Sequence, residues 1–204
     1  MNVAVLGSGS WATALAKIVM NNADDISWYI RKQETIDDFM ENRRNPNHLE
    51  WAYFDTNKIH FSSDINEVLD LSNTIILAIP SPYIQQTLDE INIDISNKYI
   101  ISAVKGMIPN ENLLVTDYIH ERFGVPNDHI GVIAGPCHAE EIALERMSYL
   151  TIGCTNREQA IIWSRLLTTK YVHVTPSDDV IGLEYSSVMK NIYAIAAGMC
   201  SSLR

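Results

Sequence analysis

A run of strand-forming residues, Val3-Ala4-Val5-Leu6, passes directly into Gly7-Ser8-Gly9-Ser10-Trp11-Ala12 and then into the helix-forming Thr13-Ala14-Leu15-Ala16-Lys17. A strand that turns at once through glycines into a helix is a strong constraint, because it opens a strand–helix–strand unit with the helix start facing the turn. The spacing is Gly-x-Gly-x-x-Ala. Gly7 permits the tight turn, Gly9 leaves room for a ligand near the backbone, and Ala12 lets the helix lie close on the strand. Unpaired amides at the helix start attract negative charge, so the pattern predicts a cradle for the pyrophosphate of a dinucleotide. An ordinary strand-to-helix turn is the alternative, and context has to decide between them.

The same alternation continues along the chain. Apolar runs predict strands over 2–7, 26–30, 73–79, 98–104, 129–134, 149–154 and 171–175, with a weak one at 59–62. Helical spacing and capping residues predict helices over 11–22, 33–42, 64–70, 82–93, 111–123, 137–146 and 156–168. This order implies an α/β fold with a doubly wound, mainly parallel sheet covered on both faces. The segment 44–58, with Pro46, Asn47 and several aromatics, reads as an irregular loop. From about Val180 the pattern changes. Residues 181–203 read as one long helix, with Ile181, Tyr185, Val188, Ile192, Ile195 and Met199 on one stripe and small residues opposite. Such a helix is expected to be buried all round, against a partner chain or further sequence. The expected division is therefore 1–179 and 180–204, the second part incomplete, with a homodimer as one way to cover the helix.

Composition narrows the ligands. A net charge of −10 argues against nucleic acid, since Arg31-Lys32 and Arg43-Arg44 are the only compact basic clusters. No run approaches the roughly 18 apolar residues of a membrane span, and the glycine cradle begins too early for a signal peptide. Cys137, Cys154 and Cys200 are odd in number and lack Cys-x-x-Cys spacing, which fits a reduced, cytoplasmic compartment. A small anionic ligand remains compatible with these features.

Several residues can carry chemistry. Lys190 is the only charged residue between Tyr185 and Ser202. An amine in apolar surroundings is a candidate general base, although a snorkelling side chain explains the same pattern. Asn191 beside it offers an amide for a substrate or cofactor oxygen, or for structure. Lys105 and Gly106 follow a predicted strand, at the end where doubly wound sheets bind ligands. Ala78-Ile79-Pro80-Ser81-Pro82 follows another and is expected to line the crevice. Gly135-Pro136-Cys137-His138-Ala139-Glu140-Glu141 predicts a helix start able to hold an anion. Cys137 with His138 also allows a thiol reading, but neighbours in sequence need not touch. The histidines are scattered, so no metal site is expected. After the second strand, Arg31 and Lys32 stand where an NAD-preferring site carries an acid. That favours NADP, while Glu34 leaves NAD open.

Together these motifs resemble the bacterial NAD(P)-dependent glycerol-3-phosphate dehydrogenase family. The resemblance rests on Gly7-Ser-Gly-Ser-Trp-Ala-Thr-Ala-Leu-Ala16, Ala78-Ile-Pro-Ser81, Val104-Lys-Gly-Met107, Gly135-Pro-Cys-His-Ala139 and Glu184-Tyr-Ser-Ser-Val-Met-Lys-Asn191, with the run ending at Gly198. It implies a Rossmann-type sheet followed by the first helix of an all-α substrate domain. It also implies that Gly7, Gly9, Ser10, Trp11, Arg31, Lys32, Lys105 and Ala139 bind NADP or NAD. Lys105, Gly135, Cys137 and Lys190 would contact glycerol 3-phosphate or glycerone phosphate, with Lys190 as proton acceptor, in the service of phospholipid synthesis. Two residues depart from the family pattern. Ala12 replaces a usual glycine, and Cys137 stands where serine or threonine is usual, which weakens its hydrogen bond to substrate. Family members also continue into a helical domain with further active-site residues, so the chain reads as the N-terminal part of such an enzyme. A non-catalytic nucleotide-binding module and a reductase for another hydroxy acid are the competing readings.

Overall fold

The structure is a computed structural model and describes residues 2–202, the Asn191 side chain apart. Eight strands and eight α-helices alternate. They are β1 (Val3–Leu6), α1 (Ser10–Val19), β2 (Ile26–Tyr29), α2 (Gln33–Asn42), β3 (Ile59–Ser62), α3 (Ile65–Asp70), β4 (Thr74–Leu77) and α4 (Ser81–Leu88). There follow β5 (Tyr99–Ser102), α5 (Val115–Phe123), β6 (Ile130–Ala134), α6 (Ala139–Ala143), β7 (Ser148–Cys154), α7 (Arg157–Leu167), β8 (Val172–Ser177) and α8 (Val180–Ser202). All strands join one sheet in the order β3-β2-β1-β4-β5-β6-β7-β8. The weak strand expected at 59–62 is β3, the edge strand beside β2.

Strands β1 to β6 are mutually parallel, and in register Val5 faces Trp28 on one side and Ile76 on the other. Alternation along β1 explains the two cores. Val3 and Val5 join Leu15, Ile18 and Trp163 on one face, while Ala4 and Leu6 join Val68, Leu69 and Ile84 on the other. Truncating a fully buried member such as Leu15 or Ile76 to alanine costs about 2–5 kcal/mol. Strand β7 runs antiparallel to β6. The link between them holds only the single-turn α6, too little to carry the chain back across the sheet for a parallel return.

Three helices are markedly shorter than the sequence pattern predicts. After Leu88 the chain closes a turn, and the Asn92 amide donates to Asn66 Oδ1 at 2.8 Å, which draws it away from the axis of α4. Asn110 and Asn112 have positive φ of 66° and 56°, so α5 starts only at Val115. Glu145, at φ 55°, ends the path of α6 in the same way. In this chain the last helix is covered only in part. Glu184 is buried, but Ile192, Tyr193, Ile195 and Met199 are exposed, because α8 packs on β6 and β7 mainly through its first turns. No helix among the described residues is long and apolar enough to cross a membrane.

Candidate functional site

The sheet order places β1 between β2 and β4, so the connections leaving β1 and β4 diverge and open a crevice at their carboxyl ends. The glycine turn forms its floor. Gly7 has φ +124°, and a Cβ there would meet the Ala78 carbonyl oxygen at 2.6 Å, so both backbone conformation and close approach require glycine. Buried side chains hold this turn from behind. Trp28 Nε1 donates to Gly7 O at 2.7 Å, and Asn45 Nδ2 donates to Ser8 O at 2.9 Å and to Thr13 Oγ1 at 2.8 Å. Trp28 is itself wedged against Phe39, Phe54 and Phe61. Sequence reasoning missed Asn45, which lies in the segment read only as an irregular loop. Its sole sequence signal is an asparagine before Pro46.

A cavity of about 240 Å³ lies along the turn, lined by Gly7, Ser8 and Gly9 below and by Tyr29, Arg31, His48, Pro80 and Tyr83 around it. The 78–82 segment thus does line the crevice. Ser10 Oγ lies 3.2 Å from Nδ1 of His48, one of the crevice's lining residues. The Tyr29 hydroxyl donates to Glu90 Oε2 at 3.3 Å, and burial, reinforced by Glu90, pushes its pKa up to about 12, which keeps the phenol protonated. Arg31 and Lys32 are exposed at the rim, and among the described residues neither forms an ion pair.

A second cavity of about 240 Å³ adjoins Trp11, with Lys105, Gly135, Pro136, Ser186, Ser187 and Lys190 in its wall. Here residues separated in sequence converge. Lys105 Nζ sits 4.5 Å from the centre of the Trp11 ring. Lys105 is exposed overall, yet its amine lies against the Trp11 ring and is partly desolvated there. That desolvation, followed by the positive charge of Lys190, pulls the amine below the usual lysine range; Cys137 and Glu140 oppose the shift. Gly135 has φ +149°, and a Cβ there would touch the Tyr149 carbonyl at 2.5 Å, so the turn after β6 also needs glycine. The turn brings Cys137 under the cavity, buried, with its thiol pushed up by burial against the opposing pull of Lys105 and Lys190. His138 is exposed while Cys137 is buried, and no hydrogen bond joins them among the described residues, which removes the thiol–imidazole pair. Ala139 is buried and opens the short α6, which Lys17 ties to α1 through the Ala143 carbonyl at 3.2 Å and Glu145 at 3.2 Å. The Asn191 side chain lies outside the described residues. The first cavity thus has a backbone floor, and the second carries two amines in its wall.

Comparison with known proteins gives the family. Residues 2–160 match the profile of the family described as NAD-dependent glycerol-3-phosphate dehydrogenase N-terminus. The chain is 34% identical over 204 residues to glycerol-3-phosphate dehydrogenase [NAD(P)+] of an Exiguobacterium species, covering 99% of this chain and 60% of that protein. It is 31% identical over 202 residues to the Oceanobacillus iheyensis protein of the same name, covering 98% of this chain and 58% of the relative. The solved structure of Plasmodium falciparum glycerol-3-phosphate dehydrogenase superposes with a TM-score of 0.89 at 27% identity, over all of this chain and 59% of the other. The chain thus spans 58–60% of the length of these curated relatives.

Proposed function

The chain belongs to the NAD-dependent glycerol-3-phosphate dehydrogenase family, and from that premise we propose that it forms the NADP- or NAD-binding part of an enzyme interconverting glycerone phosphate and sn-glycerol 3-phosphate. The observation that carries this reading is that one strand–turn–helix unit contributes to both cavities, Gly7, Ser8 and Gly9 to the crevice and Trp11, two residues on, to the wall of the two-lysine cavity.

The residues present fit a dinucleotide. A Cβ added at Gly9 would meet nothing within 4 Å, so the space over the turn is open, and a larger residue would fill it. Amides at the start of α1 face that space, and Ser10 borders it. Arg31 and Lys32 stand ready to pair with a ribose phosphate, which favours NADP over NAD. Once bound, the nicotinamide supplies or accepts the hydride.

The chain's own residues handle the substrate and its proton. Lys190 exchanges the hydroxyl proton of glycerol 3-phosphate with its amine. Lys105, less strongly hydrated than a surface lysine, presents its ammonium to the same oxygen or to the phosphate. The backbone around Gly135 and the neutral Cys137 thiol close the floor under the substrate. Ala139 keeps α6 clear of the cofactor's path. We read residues 180–202 as the first element of the substrate-binding part, whose exposed apolar stripe suits further family length or a second copy of the chain.

Titration with NADPH, followed by tryptophan fluorescence, tests the first half: saturable binding is expected, and none up to millimolar cofactor would overturn it. NADPH oxidation on adding glycerone phosphate, measured on protein of the relatives' full length, tests the second half. Because this chain spans 58–60% of those relatives, binding without turnover is the second reading for the chain by itself.

A further inference from the structure

A single carboxylate joins the two segments that carry the lysines. Glu184 has 0% exposure and is, among the described residues, the one charged side chain classed as buried. From the second turn of α8 its Oε1 accepts from the backbone amides of Val115 at 2.9 Å and Thr116 at 3.3 Å. Its Oε2 accepts from Thr116 Oγ1 at 2.6 Å. Val115 and Thr116 open α5, and Leu114 before them offers no side-chain cap. Glu184 therefore supplies from another helix the acceptor that an N-cap residue would ordinarily provide. Burial first, with Asp117 as a minor contributor, pushes this carboxyl up, while its three hydrogen bonds pull it down; the net direction is up.

The positions of the partners give this contact its meaning. The start of α5 ends the stretch 103–114 that leaves β5 and carries Lys105. Lys190 follows Glu184 by six residues on α8. Side chains six apart on a helix differ by roughly 240° in direction, or about 120° the other way round. With Glu184 fixed toward α5, the rotation of α8 that brings Lys190 to the cavity wall is set. The outer half of α8 is largely exposed, so Glu184 shares the setting of that rotation only with the packing of the first turns on β6 and β7.

We infer that Glu184 is a positioning residue that clasps the Lys105 segment to the Lys190 helix and so sets the separation of the two amines. The inference takes the importance of the two lysines from the function proposed above. Its test measures only their effect on each other, without cofactor or substrate, so the two can fail separately.

Carbon-13 NMR of lysine-labelled chain, with Lys105 assigned through Lys105→Arg, follows the titration of that amine. Lys190 helps hold the Lys105 amine down, so any variant that lets Lys190 drift moves the Lys105 midpoint to higher pH. Glu184→Leu, similar in size but with no acceptor, is expected to do this. Thr116→Val, which removes only the hydroxyl donor, gives a smaller movement in the same direction, and Glu184→Ala a larger one. In a Lys190→Met background Glu184→Leu no longer moves the midpoint. Val68→Ala, a core truncation on α3, lowers Tm and leaves the midpoint where it is. An unmoved midpoint in Glu184→Leu, whatever its Tm, overturns the inference. So does an equal movement in the Lys190→Met background, which would mean general opening of the site. If Glu184→Ala fails to fold, Glu184→Leu and Thr116→Val still decide.

Discussion

The glycine-turn crevice and the two-lysine cavity have the same volume, about 240 Å³ each, but are built in opposite ways. The crevice has a floor of backbone under its side-chain walls. Residues 7–9 form its floor, and Trp28 and Asn45 hold that floor by hydrogen bonds to its carbonyls. The lysine cavity is made of side chains, drawn from α1, the loop after β5, the turn after β6 and α8. A backbone site is rigid and tolerant of surface change, whereas a side-chain site depends on the placement of every segment that contributes to it. The two regions should therefore respond to mutation independently and through different observables.

The largest expected effect tests the lysine side. Lys190→Ala should lower kcat for glycerone phosphate reduction by about 10²–10⁴-fold, in protein of the relatives' full length, with the NADPH Kd unchanged. Loss of NADPH affinity in that variant would show that the two regions are not separate. Gly9→Val tests the crevice. The added side chain meets nothing within 4 Å and the φ of −76° suits any residue, so Tm should hold. Cofactor affinity should fall by about 1–3 kcal/mol, the typical penalty of overfilling a packed space; a drop in Tm instead would mean the turn itself had been broken.

Two smaller effects sharpen the contrast. Arg31→Ala with Lys32→Ala should weaken NADPH by about 1 kcal/mol, as expected of exposed charge pairs, and leave NADH unchanged. Equal loss for both cofactors would move those cations away from the ribose phosphate. Cys137 supplies the pH test. Its folded thiol titrates above the ordinary 9.0, so from that pH upward the unfolded chain gives up a proton that the native state retains. Stability then falls as pH rises. The Tm of wild type minus that of Cys137→Ser should decline above pH 9.0, and a flat difference would place the thiol in a wetter environment than the structure shows.

The crevice was largely legible in local spacing, whereas the lysine cavity was legible only through the family resemblance, which grouped Lys105, Gly135, Cys137 and Lys190. Gly7, Gly9 and Ala12 act within one strand–turn–helix unit, where spacing along the chain is spacing in the molecule. The eight strands followed from the same local periodicity. The early ends of α4 and the late start of α5 did not, because a contact from Asn66 and the left-handed asparagines 110 and 112 decide them. Asn45 was missed for a related reason. Its amide reaches back 37 residues to Ser8, and no periodic pattern marks such a contact.

What the sequence by itself determined is the alternating α/β order and the glycine turn between β1 and α1. Each rests on interactions between residues a few positions apart, which fix backbone geometry locally. Tertiary structure alone decided that Lys105 faces Trp11, that Cys137 and His138 part company, and that Glu184 reaches 69 residues back to Val115. Those outcomes depend on how the sheet twists and where α8 lands on it, and burial and desolvation act only once that packing exists.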